Sequence, residues 1–203
     1  MKKTIHFIII LISLNSFAQI KATIIKTNKE VVKGFASITT YNSNIIKFRK
    51  NINDKPQKFG HKDIDKIFFI LPNKSFFEYQ FKSISKKNIQ LMKVLIRGNL
   101  SLYSFTETET YNTHSSGKGF GNVNIGKMHT STHFYLSKNN NTIVEFPSKT
   151  IFKSFRKNAS AYFKDCSELV KKIKKKEFKK SNIIEIVEFY NNKCNKTNKG
   201  IDK

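Results

Sequence analysis

Cys166 and Cys194 are the only cysteines in the chain, and they stand 28 positions apart with a block of lysines between them. Two thiols can do redox chemistry, hold a metal or form a structural bond. A catalytic dithiol uses C-x-x-C, which is absent. A zinc site needs about four ligands, and no histidine lies between these cysteines. A structural disulfide is the remaining chemistry, and the spacing predicts it.

A second set of candidates lies in "THSSGKGFGNVNIGKMHTSTH", residues 113 to 133. His114, His129 and His133 are its metal-ligand candidates. His129 and His133 are four apart, which suits one face of a helix. On a strand the same spacing covers about 13 Å. Thr130, Thr132 and Phe134 point to a strand beginning there. The rest reads as a long glycine-rich hairpin loop. "GNVNIGKM" spaces Gly121, Gly126 and Lys127 as a phosphate loop does. Met128 stands where a serine or threonine must hold magnesium, so the pattern fails. No Ser-His-Asp arrangement and no carboxylate pair for glycosidase chemistry can be read from the chain. The residues imply no cofactor.

The third candidate is charge. The chain has 38 Lys and Arg against 14 Asp and Glu, a formal net charge of +24. Lys171, Lys172, Lys174, Lys175, Lys176, Lys179 and Lys180 crowd into "KKIKKKEFKK". Such a patch attracts polyanions by charge and does so less as salt rises. Only Arg49, Arg97 and Arg156 are arginines. Arginine is favoured for bidentate phosphate and base contacts, so lysine bias argues against specific nucleic-acid readout. The abundance of lysine, asparagine and isoleucine is also what AT-rich codons produce. The expected partners are anionic envelope polymers or another envelope protein.

These residues need elements to position them. From Asp165, Leu169, Ile173 and Phe178 fall on one rough helical face, with Asp165 and Glu168 spaced as a capping box. After Ser181, a second cap candidate, Ile183, Ile186, Val187 and Tyr190 recur at helical spacing and Cys194 continues the face. Two helices of about twelve residues, turning near Lys179 to Asn182, make an antiparallel hairpin that brings Cys194 beside Cys166. In the chain-entropy model a closed loop of about 29 residues is worth roughly 3.6 kcal/mol. Upstream, residues 148–165 read as an amphipathic helix with Ile151, Phe155, Ala159 and Tyr162 or Phe163 near one face.

Before Pro147 the chain reads as strands. "IKATIIKT", "VVKGFASITT", "NIIKFRK", "DIDKIFFI", "SFFEYQFK", "IQLMKVLI", "LSLYSFTETETY", "THFYLSK" and "TIVEF" are short runs rich in β-branched and aromatic residues, separated by turn residues. The expected fold class is α+β: an antiparallel β meander closing as a barrel or sandwich, followed by C-terminal helices including a disulfide-stapled hairpin. The expected domains are a β domain over 19–147, a helical segment over 148–195 and a disordered tail over 196–203.

The compartment follows from "MKKTIHFIIILISLNSFAQ". Lys2 and Lys3 precede an apolar run from Ile5 to Leu14, then Ser16 and Ala18 sit at cleavage-site spacing. This is the layout of a signal peptide over residues 1–18, and the run is shorter than the roughly 20 residues that span a membrane. The mature chain is therefore expected to begin at Gln19, to hold no transmembrane segment, and to be exported to the periplasm or beyond. Export supplies the oxidant a disulfide needs.

The tail residues Asp165-Cys166-x-Glu168-Leu169, Lys176-Glu177-Phe178 and Ile186-Val187-x-Phe189-Tyr190-Asn191, with Cys194, form a pattern. With "VLIRGNLSLY" and "HFYLSK" upstream, it resembles a group of uncharacterised exported β-rich proteins of Bacteroidota-type bacteria. The resemblance implies a β-rich body with a helical tail in the cell envelope and supplies no catalytic residue. The expected function is a non-enzymatic envelope protein with a binding or structural role. The competing expectation is a metal-dependent or other hydrolase with its site in residues 113–133.

Overall fold

The computed structural model describes residues 20–37, 44–85, 88–115, 123–139, 142–146 and 155–194, with the backbone alone for 110–115 and 123–127. The expected signal peptide (1–18), disordered tail (196–203) and helical position Ile151 lie outside the described residues.

Among the described residues, ten strands form one antiparallel sheet: β1 Ile20–Lys26, β2 Val31–Ser37, β3 Ile46–Arg49, β4 Gln57–Phe59, β5 Ile64–Ile70, β6 Phe76–Ser85, β7 Asn88–Ile96, β8 Leu100–Ser115, β9 Val123–Lys138 and β10 Val144–Glu145. Their order is β10-β9-β8-β7-β6-β5-β1-β2-β3-β4. This is two meanders joined where β5 returns beside β1. The described helices follow: α1 Phe155–Tyr162, α2 Ser167–Lys174 and α3 Ile183–Lys193, with a 3-10 turn at Lys180–Asn182.

The expected closure into a barrel does not occur. The sheet is open, with β4 and β10 as its two edges. Closure is one way to bury a sheet's apolar face, and this chain uses others. The first six strands curl around their own cluster of Ile24, Ile46, Phe48, Ile64, Ile67 and Phe69, with Phe59 and Phe81 packed against it. Gly34 permits the tight curl, because a Cβ there would overlap the Arg49 carbonyl and the Phe48 ring.

At the other end the helices do the covering. Leu169 and Ile173 of α2, with Ile183, Ile186, Val187 and Tyr190 of α3, are buried against Leu100 and Leu102 of β8 and Leu136 of β9. Ala159 and Phe163 complete the same cluster, as the helical spacing requires. On the opposite sheet face Met92, Tyr103, Tyr135 and Ile143 form a smaller core. Leu-Ser-Leu-Tyr, residues 100–103, is thus buried on both faces.

The helical hairpin differs from expectation in its boundaries. Helix α2 stops at Lys174, and Lys176 adopts a left-handed backbone (φ 65°). The Lys176 N–H donates to the Ile173 carbonyl and the Glu177 N–H to the Lys172 carbonyl. This pair of bonds is a Schellman stop, usually made by glycine. The expected capping box at Asp165 does not form. Cys166 is the cap residue and makes no side-chain cap bond. Asp165 is drawn elsewhere, accepting from Lys138 Nζ at 2.7 Å and from the Tyr190 hydroxyl at 2.5 Å. Ser181 is likewise not the cap of α3; Asn182 holds that position.

Two devices fasten the hairpin to the sheet. The Asn191 side chain pairs with Leu100 as a strand would, its Nδ2 donating to the Leu100 carbonyl and its Oδ1 accepting from the Leu100 N–H, both at 2.9 Å. Lys138 reaches from β9 into a cage formed by the rings of Tyr162 and Tyr190, with its ammonium 4.7 Å and 4.9 Å from their centres. The same ammonium donates to the Tyr162 carbonyl at 2.8 Å.

Candidate functional site

The two cysteines are joined. Cys166 and Cys194 form a disulfide with Cα atoms 5.5 Å apart. It ties the start of α2 to the end of α3. Cys166 is buried and Cys194 partly so, packed against the core that the two helices share with the sheet.

The seven lysines do not form one site. Lys172 donates to Glu177 at 2.8 Å, and its ammonium lies 5.8 Å from the centre of the Phe189 ring. Lys171, Lys174 and Lys175 are exposed along and just past α2. Lys176, Lys179 and Lys180 belong to the turn before α3. There, with Arg156 of α1, they surround a pocket of about 280 Å3 with Phe155 and Phe178 among its lining. Sequence reasoning did not join Arg156 to this group, because it lies twenty positions before Lys176. The signal available was an isolated arginine in a lysine-rich chain.

The region 113–133 is mostly strand. β8 runs to Ser115 and β9 begins at Val123, so most of the expected long loop is strand, and 116–122 lie outside the described residues. The glycine, asparagine and threonine content hid this, since it lacks the apolar alternation of a half-buried strand. His114 pairs in register with Asn124, and His129 with Glu109. His133 pairs with Phe105. At about 3.3 Å per residue, His129 and His133 are roughly 13 Å apart along β9. The His114 side chain lies outside the described residues. Among the described residues no group of three or more His, Cys, Asp and Glu side chains is arranged to hold a metal ion.

What the register does assemble is a row of carboxylates around His133. Glu107 of β8 and Glu145 of β10 share its sheet face. His133 Nδ1 lies 2.9 Å from Glu145 Oε1 in a hydrogen bond. Nε2 lies 2.8 Å from Glu107 Oε1, within ion-pair reach but off the line of a hydrogen bond. The imidazole is nearly buried, with 9% of its side chain exposed. Nδ1 is therefore engaged by Glu145, while the buried Nε2 faces the Glu107 carboxylate without a hydrogen bond. This face also carries Tyr135. Burial, with the charges of Glu145 and Glu107, pushes its hydroxyl up to about 12.

A cleft of about 910 Å3 opens beside this row. Glu107, Glu109, His129 and Glu145 line it from one face of β9, and Thr132 and Phe134 from the other. Lys179, Lys180 and Ser181 form its far wall. The cleft therefore straddles the edge of β9 and sets an acidic side against a basic turn.

No helix among the described residues is long and apolar enough to cross a membrane. No protein-family model, no curated protein and no solved structure matches this chain.

Proposed function

We propose that the chain is an exported, non-enzymatic protein of the cell envelope that binds an anionic polymer through its helical tail. The observation that carries the reading is the convergence of Arg156, Lys176, Lys179 and Lys180 on one pocket with the rings of Phe155 and Phe178 in its lining. Cations around an aromatic floor suit a polymer that alternates anionic groups with apolar or sugar-ring surface. The disulfide in the same hairpin and the leader-like first 18 residues support the exported location.

The test separates a site from general charge. Retention on a sulfated or carboxylated polysaccharide should fall steeply with salt. Replacing Arg156, Lys176, Lys179 and Lys180 by glutamine should weaken it roughly tenfold. Replacing Lys171, Lys174 and Lys175 should change it less than threefold. Equal losses in the two variants would reduce the patch to a solvated cationic face.

A second reading, a hydrolase working at His133, draws on the cleft that gathers His129, His133 and three glutamates. It requires His133 to release one of its two carboxylates. Activity against a panel of ester, phosphoester and glycoside substrates that disappears in His133→Gln would favour it.

A further inference from the structure

Among the described residues, the outer edge of β9 is unpaired over most of its length. β10 pairs with it only at Leu136 and Tyr135, and the Phe146 N–H adds one bond to the Phe134 carbonyl at 2.8 Å. No described residue pairs with the outer edge of β9 from Val123 to His133. In an antiparallel ladder every second residue turns both N–H and C=O to the same edge. Since Phe134 faces outward, Thr132, Thr130 and Met128 face outward too. Their side chains are exposed as well.

An edge like this is normally blunted with lysine or proline. This chain spends 38 residues on Lys and Arg, yet 105–115 and 123–133 hold only Lys127, with Glu107 and Glu109, and no proline. A chain of net charge +24 thus places a single lysine and no proline along this ribbon. The 910 Å3 cleft lies along that edge and continues the track that β10 begins. Lys179 and Lys180 wall it on the helix side, while Glu107, Glu109 and Glu145 line the other face.

We propose that the β9 edge from Met128 to Thr132 is a strand-addition site for an extended peptide segment of another envelope protein, acidic at every second position. Main-chain bonds to Met128, Thr130 and Thr132 supply the pairing. Alternation of side chains sends the acidic set toward Lys179 and Lys180 and the intervening set toward the glutamate row. The site is distinct from the pocket at Arg156, although Lys179 and Lys180 border both.

The probe is an eight-residue peptide alternating glutamate and threonine, titrated by fluorescence anisotropy against the oxidised full chain. It should bind at least tenfold more tightly than the lysine–threonine counterpart. Methylating alternate backbone nitrogens, in one of the two registers, should abolish binding while leaving the charges in place. Thr130→Pro, which removes an outward N–H and spares the bonds to β8, should weaken binding tenfold or more. Arg156→Gln should leave it within twofold, which separates this site from the polymer pocket. Binding that tolerates methylation in both registers would be charge adhesion alone and would overturn the proposal. So would a concentration-dependent dimer that occupies the edge, or an edge already filled by the chain's own residues 147–154. If Thr130→Pro fails to fold, the methylated peptides still decide.

Discussion

The base and the outer reach of the β8–β9 hairpin belong to the same two strands and are held in opposite ways. At the base, Leu100, Leu102 and Leu136 are fully buried beneath α2 and α3, while Tyr103 and Tyr135 are buried on the other face. Both edges are paired there, by β7 and by β10. Farther out, no described strand flanks the ribbon, and its cohesion comes from its own ladder and cross-strand hydroxyl pairs. Thr106 and Thr132 meet at 3.1 Å and Thr108 and Thr130 at 3.0 Å. A two-stranded ribbon alone is marginal in water. The lesson is that strand content follows composition, but strand stability follows what covers the faces and edges.

The contrast can be broken at either end, and the effects should grade with burial. Cys166→Ser with Cys194→Ser should cost the most, roughly 3.6 kcal/mol in the chain-entropy model. The loss should appear as tail loosening, read by near-ultraviolet circular dichroism, while the β1–β6 end persists. Leu136→Ala should cost about 3 kcal/mol in urea unfolding, as a large-to-small change in a packed core does. Thr132→Ala, four residues along the same strand but exposed, should cost less than about 0.5 kcal/mol.

Asn191→Ala should cost about 2 kcal/mol, because it leaves the Leu100 N–H and C=O without partners at a part-buried site. Lys176→Gly should run the other way and stabilise by about 1 kcal/mol, since glycine adopts the left-handed backbone of the helix stop without strain.

The smallest expected effect is that of pH on tail docking. Burial works to raise the Asp165 carboxyl, but the hydrogen bonds from Lys138 and Tyr190 and the Lys138 charge outweigh it and hold it below the usual range. Its contribution is therefore present above about pH 4 and lost as pH falls through the lowered value. Asp165 is about half exposed, so solvent screening keeps this small. Burial, then the Asp165 bond, pushes the Tyr190 hydroxyl up, and burial with the Asp165 charge raises Tyr162 to about 12. Those contributions are present below about pH 10 and fade as pH rises past it. Asp165→Asn should flatten the acid limb of a stability profile followed by urea titration.

The strand runs, the helical hairpin and the pairing of Cys166 with Cys194 were legible because each rests on local pattern. Ile183, Ile186, Val187 and Tyr190 advertise a buried helical face by spacing alone, and the structure buries all four. Other features were not legible. Lys176 ends α2 where no glycine marks a stop. Asp165 looks like a cap, but Lys138 claims it across 27 positions of sequence. The carboxylate row at His133 depends on strand register, which sets Glu107 diagonal to it and brings Glu145 in from β10. Register is a property of pairing, not of any one strand. The open sheet was unreadable for a similar reason: meander order does not say whether the edges meet.

Amide hydrogen exchange on the oxidised full chain tests the central contrast most directly. The backbone amides of Leu102, Tyr103, Tyr135 and Leu136 should exchange slowly. Those of Met128, Thr130 and Thr132 should exchange at least a hundredfold faster, because their outward N–H groups face water. Addition of the glutamate–threonine peptide should slow these three and leave the base unchanged. Equal protection along β9 in the free protein would contradict the account, since it would mean that the edge is already filled.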